Sequence, residues 1–223
     1  DAGQLDNGLN TFTAHWSWMP STGEFGRGFG DYEEHQKLAT RVGAHLSRSD
    51  EDAQSQPSTE APDNVQIRLS DGNIVFTPDL FGPGVSVTDV RYVMGAVDGG
   101  IKRNGYALDG EYYWRKVDHL SGPGVAGLGF DALNDHGFTL QASAMAIPKR
   151  LQIYVGAAKI FGEYGDPSQV RGGINWYLWP TTNCARWNTE VMYLDHSPVG
   201  ALSLPYTVGG NGAVFHTNFE INF

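Results

Sequence analysis

The residues from Ala213 to Phe223 (AVFHTNFEINF) alternate apolar and polar with period two, and no other stretch constrains the fold as strongly. Phe215, Thr217, Phe219, Ile221 and Phe223 fall on one face of a strand, while His216, Asn218, Glu220 and Asn222 fall on the other. One face suits lipid and the other water. A strand in a soluble sheet can alternate in the same way, so the rest of the chain has to decide between the two.

Composition narrows the choice. Among 223 residues there are 29 glycines, 12% aromatic residues and only 18% charged residues, a balance of strands and turns rather than helices. No run of eighteen apolar residues occurs and the mean hydropathy is negative, which excludes a helical membrane span. A membrane barrel stays open, because each of its strands needs only about ten residues with apolar groups at alternate positions. The single Cys184 excludes an internal disulfide framework and a cysteine metal cluster. A net charge of −10 argues against a nucleic-acid partner, since phosphate contacts need clustered Lys and Arg. Much of the acidity lies at Ser49–Asp52 and Thr59–Asp63, in expected loops. The sequence starts at Asp1 with neither a Met nor a signal peptide, so a processed protein or a fragment is expected.

Nine segments read as strands. Thr11–Met19 sets Phe12, Ala14, Trp16 and Trp18 against Thr13, His15 and Ser17; Leu38–Ser47 sets Leu38, Val42, Ala44 and Leu46 against Arg41, Gly43, His45 and Ser47. Arg91–Lys102 and Tyr106–Lys116 flank an Asn104–Gly105 pair that favours positive φ and predicts a hairpin. Phe138–Ala146, Leu151–Ala158, Gln169–Trp179, Arg186–Asp195 and the terminal segment complete the set. Short turns join the third to the fourth, the fifth to the sixth and the seventh to the eighth. Connections of about forty, twenty and seventeen residues, rich in Gly, Pro, Asp and Ser, join the second to the third, the fourth to the fifth and the eighth to the ninth. Short turns at one end and long loops at the other are expected of an outer-membrane barrel. A terminal aromatic on an amphipathic strand resembles the signal by which such barrels are recognised for insertion.

The fold expected is therefore all-β, an antiparallel transmembrane barrel, with residues 1–223 as one unit and residues 49–90 as a long extracellular loop and possible constriction element. If Phe223 ends in the periplasm, alternation makes the first strand run inward too. An odd count of nine then implies the C-terminal portion of a larger barrel.

The stretches WSWMPSTGEFG (Trp16–Gly26), YVMGAVDGGIKRNGYALDGEYYWR (Tyr92–Arg115), IFGEYGD (Ile160–Asp166) and the run from Arg186 to Phe223 resemble the phosphate-selective porin O/P family over nearly the whole chain. That resemblance implies a trimeric, sixteen-stranded barrel in the Gram-negative outer membrane. It also implies a water-filled pore for passive diffusion, sometimes biased toward anions such as phosphate by Arg and Lys in the lumen.

On the face turned inward, Arg41, His45, Lys102, Arg115, Arg171, Arg186 and His216 supply cations or donors, and Asp98, Asp109, Glu111, Glu190 and Glu220 supply the opposite sign. Arg offers bidentate donors to phosphate oxygens, so a basic ladder would favour anions. Here acids nearly balance bases, and the mixture suits a general porin equally well. Most such charges are expected to be solvated wall residues or ion pairs bridging strands. Within the long loop, the run from Val65 to Phe76 is apolar enough to pack inside the barrel, with an exposed cover as the equal alternative.

Tyr112, Tyr113, Trp114, Trp176, Tyr177 and Trp179 read as aromatic girdles at the membrane interfaces. Asp131, Asn134, Asp135 and His136 read as an ordinary polar loop, lacking the Gly and terminal Glu of a calcium loop. With no nucleophile elbow and no HExxH pattern, catalysis is not expected. The leading expectation is an outer-membrane porin needing no cofactor, in contact with membrane lipid, homotrimeric, and passing small anions or other hydrophilic solutes. The alternatives are an outer-membrane barrel acting as scaffold or enzyme in an envelope complex, and a soluble β-sandwich or lectin-like module. The soluble module would leave Phe12, Trp16, Val93, Leu108, Phe138, Ile153, Ile174, Val191 and Phe219 exposed as an aggregating belt.

Overall fold

The structure, a computed structural model, describes residues 10–53, 67–179, 185–198 and 208–221. Nine strands form one antiparallel sheet in sequence order: β1 (Thr11–Trp18), β2 (Ala39–Asp52), β3 (Asp89–Arg103), β4 (Tyr106–Ser121), β5 (Ala132–Ile147), β6 (Leu151–Gly162), β7 (Ser168–Tyr177), β8 (Ala185–Asp195) and β9 (Gly212–Ile221). Each strand pairs only with its sequence neighbours, so among the described residues the sheet is an open meander edged by β1 and β9. No helix is long and apolar enough to cross a membrane, which says nothing of a barrel that crosses with strands.

Register explains the two faces. One row of mutually paired positions runs Thr40, Ile101, Leu108, Ala142, Val155, Gly172, Val191 and Phe215 from β2 to β9. Its large members Ile101, Leu108, Val155, Val191 and Phe215 are all exposed, as are Phe12, Trp16, Phe138, Ile153, Ile174 and Phe219 on the same face. Val93 alone of the expected belt is half-buried. A contiguous apolar face of this extent marks contact with lipid or protein rather than with water. With polar side chains on the opposite face, this is the wall of a transmembrane β-barrel.

The hairpin between β3 and β4 turns on Asn104 and Gly105 alone, at φ 50° and 82°. A type I′ turn requires positive φ at both positions, which Asn and Gly tolerate. Several strands outrun their expected limits at the opposite end. β2 continues to Asp52 and β4 to Ser121, while β3 starts at Asp89, so the long connection spans residues 53–88 rather than 49–90. β5 starts at Ala132, which places Asn134, Asp135 and His136 in a strand and not in a loop. At these ends the outer face turns polar, with Asp89, Arg91, Lys116, Asp118 and Asn134, while Val90, Val117 and Leu133 make the inner face apolar, so the apolar-out pattern of the membrane span breaks off while backbone pairing continues.

The expected alternation of connection length also needs correction. The end that carries the tight turns holds residues 104–105, 148–150 and 178–184, but also the long segment 19–38. The other end holds 53–88, 122–131, 163–167 and 196–211, one of which is a short turn and another only half as long as expected. The terminal Asn222 and Phe223, the loop residues Thr59–Asp63 and Cys184 lie outside the described residues.

Two connections fold back onto the polar face. From the long loop, Ile67, Leu69, Val75 and Phe76 are buried in one cluster with Val87, Val90, Val117 and Leu133. The loop then reaches across the sheet, where Ser70 Oγ accepts from the Tyr164 backbone N–H at 3.1 Å. From Ile67 to Phe76, the described part of the loop's apolar middle lies against the polar-face side of the sheet. The second connection is the segment 19–38, which lies along β3–β7 at the opposite end.

Candidate functional site

The polar face of β2–β9 and the two segments folded over it form the candidate site. Register sets Lys102, Ser143, Tyr154, Glu190 and His216 in one row, and Arg41, Asp109, Gln141 and Arg171 in the next. A third row is made entirely of carboxamides: Gln152, Asn175, Asn188 and Asn218, one from each of β6 to β9. All twelve charged or histidine positions expected to face inward do share this face, but they form several separate groups rather than one ladder.

The first group lies under segment 19–38. Arg41 binds Asp98 at 2.9 Å and approaches Asp109 at 3.9 Å, while His45 Nε2 reaches the other Asp98 oxygen at 2.9 Å. Lys102 is fully buried, and its Nζ donates to the carbonyls of Arg27 at 3.2 Å and Gly28 at 2.8 Å. The Phe25 ring covers both cations, with Lys102 Nζ 4.4 Å and Arg41 Cζ 5.2 Å from its centroid. Desolvated cation–π contacts of this kind stabilise by about 2 kcal/mol. Gly100 permits the approach, because a Cβ there would stand 2.6 Å from Phe25 Cζ.

Segment 19–38 is tied down by Asp31, which is fully buried. Its carboxylate accepts from the Gly105 backbone N–H at 2.8 Å and from the His35 backbone N–H at 3.1 Å, and it bonds His35 Nδ1. His35 Nε2 faces Glu24 at 3.0 Å, and the His35 carbonyl accepts from the Asn104 N–H at 2.8 Å. Burial works against a charged ring, but the hydrogen bonds and charges of Asp31 and Glu24 outweigh it, so the His35 pKa stands above its ordinary value. Asp31, Glu33 and His35 also bring ligand atoms within 4.8 Å of one another. The buried carboxylate of Asp31 is already satisfied by backbone and imidazole, however, so this cluster is a fastening rather than an open metal site.

The second group faces the far half of the same segment. Arg171 donates to Gln141 Oε1 at 2.8 Å and lies 4.0 Å from Glu190, which accepts from the Tyr154 hydroxyl at 2.9 Å. Asn188 Nδ2 donates to Tyr154 Oη at 2.8 Å and to Asn175 Oδ1 at 2.9 Å; Asn175 Nδ2 donates in turn to Gln152 Oε1 at 2.8 Å. Arg186 pairs with Glu220. Between this wall and residues 27–32 is a recess of about 770 Å³, lined by every member of the carboxamide row.

Elsewhere on this face, Arg115 is held by Asp135, with Nε 3.0 Å from Oδ2. Glu111 stands half-buried beside Asp98 in register. Tyr113 and Tyr177 belong here too and not to the outer girdle; Tyr177 is buried, its ring 4.7 Å from that of Tyr32. Reading for charge missed segment 19–38 and the carboxamide row. The first carried a signal in the unassigned gap between the first two strands. The second requires the register of four strands.

Neither a protein-family model nor a curated protein matches the sequence. One solved structure does, described as OmpT, an in-vitro folded outer membrane protein of Vibrio cholerae in its trimer form. The likeness has a TM-score of 0.46 at 14% identity, and covers 94% of this chain and 54% of that one. The chain thus spans about half the length of the protein it matches. The expectation that the chain is not an enzyme does not stand: it rested on missing sequence motifs, whereas the fold gathers side chains of separate strands irrespective of their spacing.

Proposed function

We propose that the chain forms the wall of a water-filled channel in the bacterial outer membrane, through which small hydrophilic solutes diffuse. The observation that carries this reading is the division of one sheet into an exposed apolar face and a polar face with an open recess. Lipid meets the first and solute the second. Residues 67–88 and 19–38, both folded onto the polar face, act as the constrictions, at the extracellular and periplasmic ends respectively. The resemblance to phosphate-selective porins supports a homotrimer and an anion bias. Against a strong bias, Arg41, Arg115, Arg171 and Arg186 each have a carboxylate within 4.0 Å. A wall of paired charges suits general diffusion.

The test is the conductance and reversal potential of the full-length native protein in planar bilayers under a salt gradient, repeated with phosphate added. Stable current steps support a channel, and an anion-selective reversal with phosphate block supports the bias. A correctly inserted barrel that passes no current overturns the reading.

A further inference from the structure

A diffusion path needs only a wet, polar wall, but the recess over β5–β9 holds more than that. Phe29 is 55% exposed, although it lies on the polar face and away from the lipid-facing side. Its backbone is fixed, since the Phe29 carbonyl accepts from Ser143 Oγ at 3.1 Å and the preceding Gly28 carbonyl from Lys102. An exposed aromatic ring on an anchored backbone offers a flat apolar face to the recess. Two residues earlier Arg27 also lines the recess, exposed, and its guanidinium has no carboxylate partner among the described residues. The other two guanidiniums of the recess, Arg171 and Arg186, are each engaged by a glutamate. One uncommitted positive charge therefore faces the cavity.

The opposite wall presents the carboxamide row. Its buried members Gln152 and Asn175 hold Asn188 in place, while Asn218 at the end of the row is exposed, and its side chain makes no hydrogen bond among the described residues. Amides give and accept in fixed directions, which matches hydroxyl groups, each both donor and acceptor. An aromatic face matches the C–H face of a saturated ring. Inorganic phosphate accepts from amide N–H groups too, but it has no C–H face to set on an aromatic ring.

We infer that the recess is a subsite for a polyhydroxylated ring bearing one negative charge, a sugar acid, stacked on Phe29 with its carboxylate at Arg27 and its hydroxyls toward the carboxamide row. This deepens the channel reading and rests on it for the route by which such a solute arrives. Calorimetric titration of the full-length protein in detergent micelles with glucuronate, glucose and inorganic phosphate tests it without reference to conductance. Glucuronate should bind most tightly. Arg27→Gln should weaken glucuronate roughly tenfold or more, the worth of a charge-assisted contact, and leave glucose where it was. Phe29→Ala should weaken both sugars and Phe29→Trp should retain them, with heat-modifiable gel mobility confirming that each variant is folded.

Phosphate binding as tight as glucuronate, or glucuronate binding indifferent to both variants, overturns the subsite. Parallel bilayer recordings separate the two readings. Current steps without glucuronate binding leave the channel and remove the subsite, whereas binding without current removes the channel and leaves the subsite.

Discussion

Segments 19–38 and 67–88 both fold onto the polar face of the sheet, yet opposite physics holds them there. The long loop is fastened by an apolar cluster in which Val75 is wholly buried and Phe76 nearly so, against Val90, Val117 and Leu133 of the strands. Segment 19–38 contributes one buried phenylalanine, Phe25, and the Tyr32 ring against Tyr177, and is held mostly by polar contacts, those of Asp31 and His35 and the carbonyls that Lys102 and Ser143 engage. Apolar burial is non-directional and scarcely responds to pH; a buried carboxylate–imidazole fastening is directional and titrates. The first type suits a plug that stays put, and the second a constriction whose hold depends on conditions.

The contrast can be broken most forcefully on the apolar side. Phe76→Ala should cost about 3 kcal/mol or more of local stability through lost burial and the cavity left behind. It should appear as faster proteolysis within 67–88, with 19–38 still protected. Equal exposure of both segments would show that they are one cooperative unit. Next, Asp31→Asn should cost about 2 kcal/mol, because the charged acceptor shared by Gly105, the His35 backbone and the imidazole is lost. Protease protection of 19–38 should fall while the loop cluster is unchanged.

A smaller effect is expected from pH alone. Because the native pKa of His35 is raised, its contribution is present in full below 6.5 and is lost as pH rises through the native value. Hydrogen exchange in 19–38 should therefore quicken, beyond its intrinsic rise, on going from mildly acidic to mildly alkaline buffer, and His35→Gln should flatten the dependence. A slope of the opposite sign would mean that the ring is held neutral. Smallest of all should be Arg91→Ala. It removes a pair with Asp50 at 3.1 Å that is largely in solvent, worth about 0.5 kcal/mol, and the melting temperature should barely move.

Some of this was legible before any coordinates. Period-two alternation identified all nine strands, because facing lipid on one side and water on the other imposes that pattern residue by residue. Asn104–Gly105 located the tightest hairpin for an equally local reason, the cost of positive φ to other residues. The inward position of Arg41, Lys102, Asp109 and Glu190 follows from the same parity.

Which of those side chains meet was beyond parity. Lys102 looked like a pore cation, but the carbonyls that bury it come from residues 27 and 28, a contact that local pattern does not encode. Gln152, Asn175, Asn188 and Asn218 are spread over four strands and line up only once every register is set. Tyr177 looked like a girdle residue until Tyr32 was brought against it from the other side of the sequence. The sequence by itself determined the strands, their faces and the medium each face meets, since those depend on a residue and its neighbours. Only the tertiary structure decided which charges are paired, which connections fold inward and where a recess is left, because those depend on partners far apart along the chain.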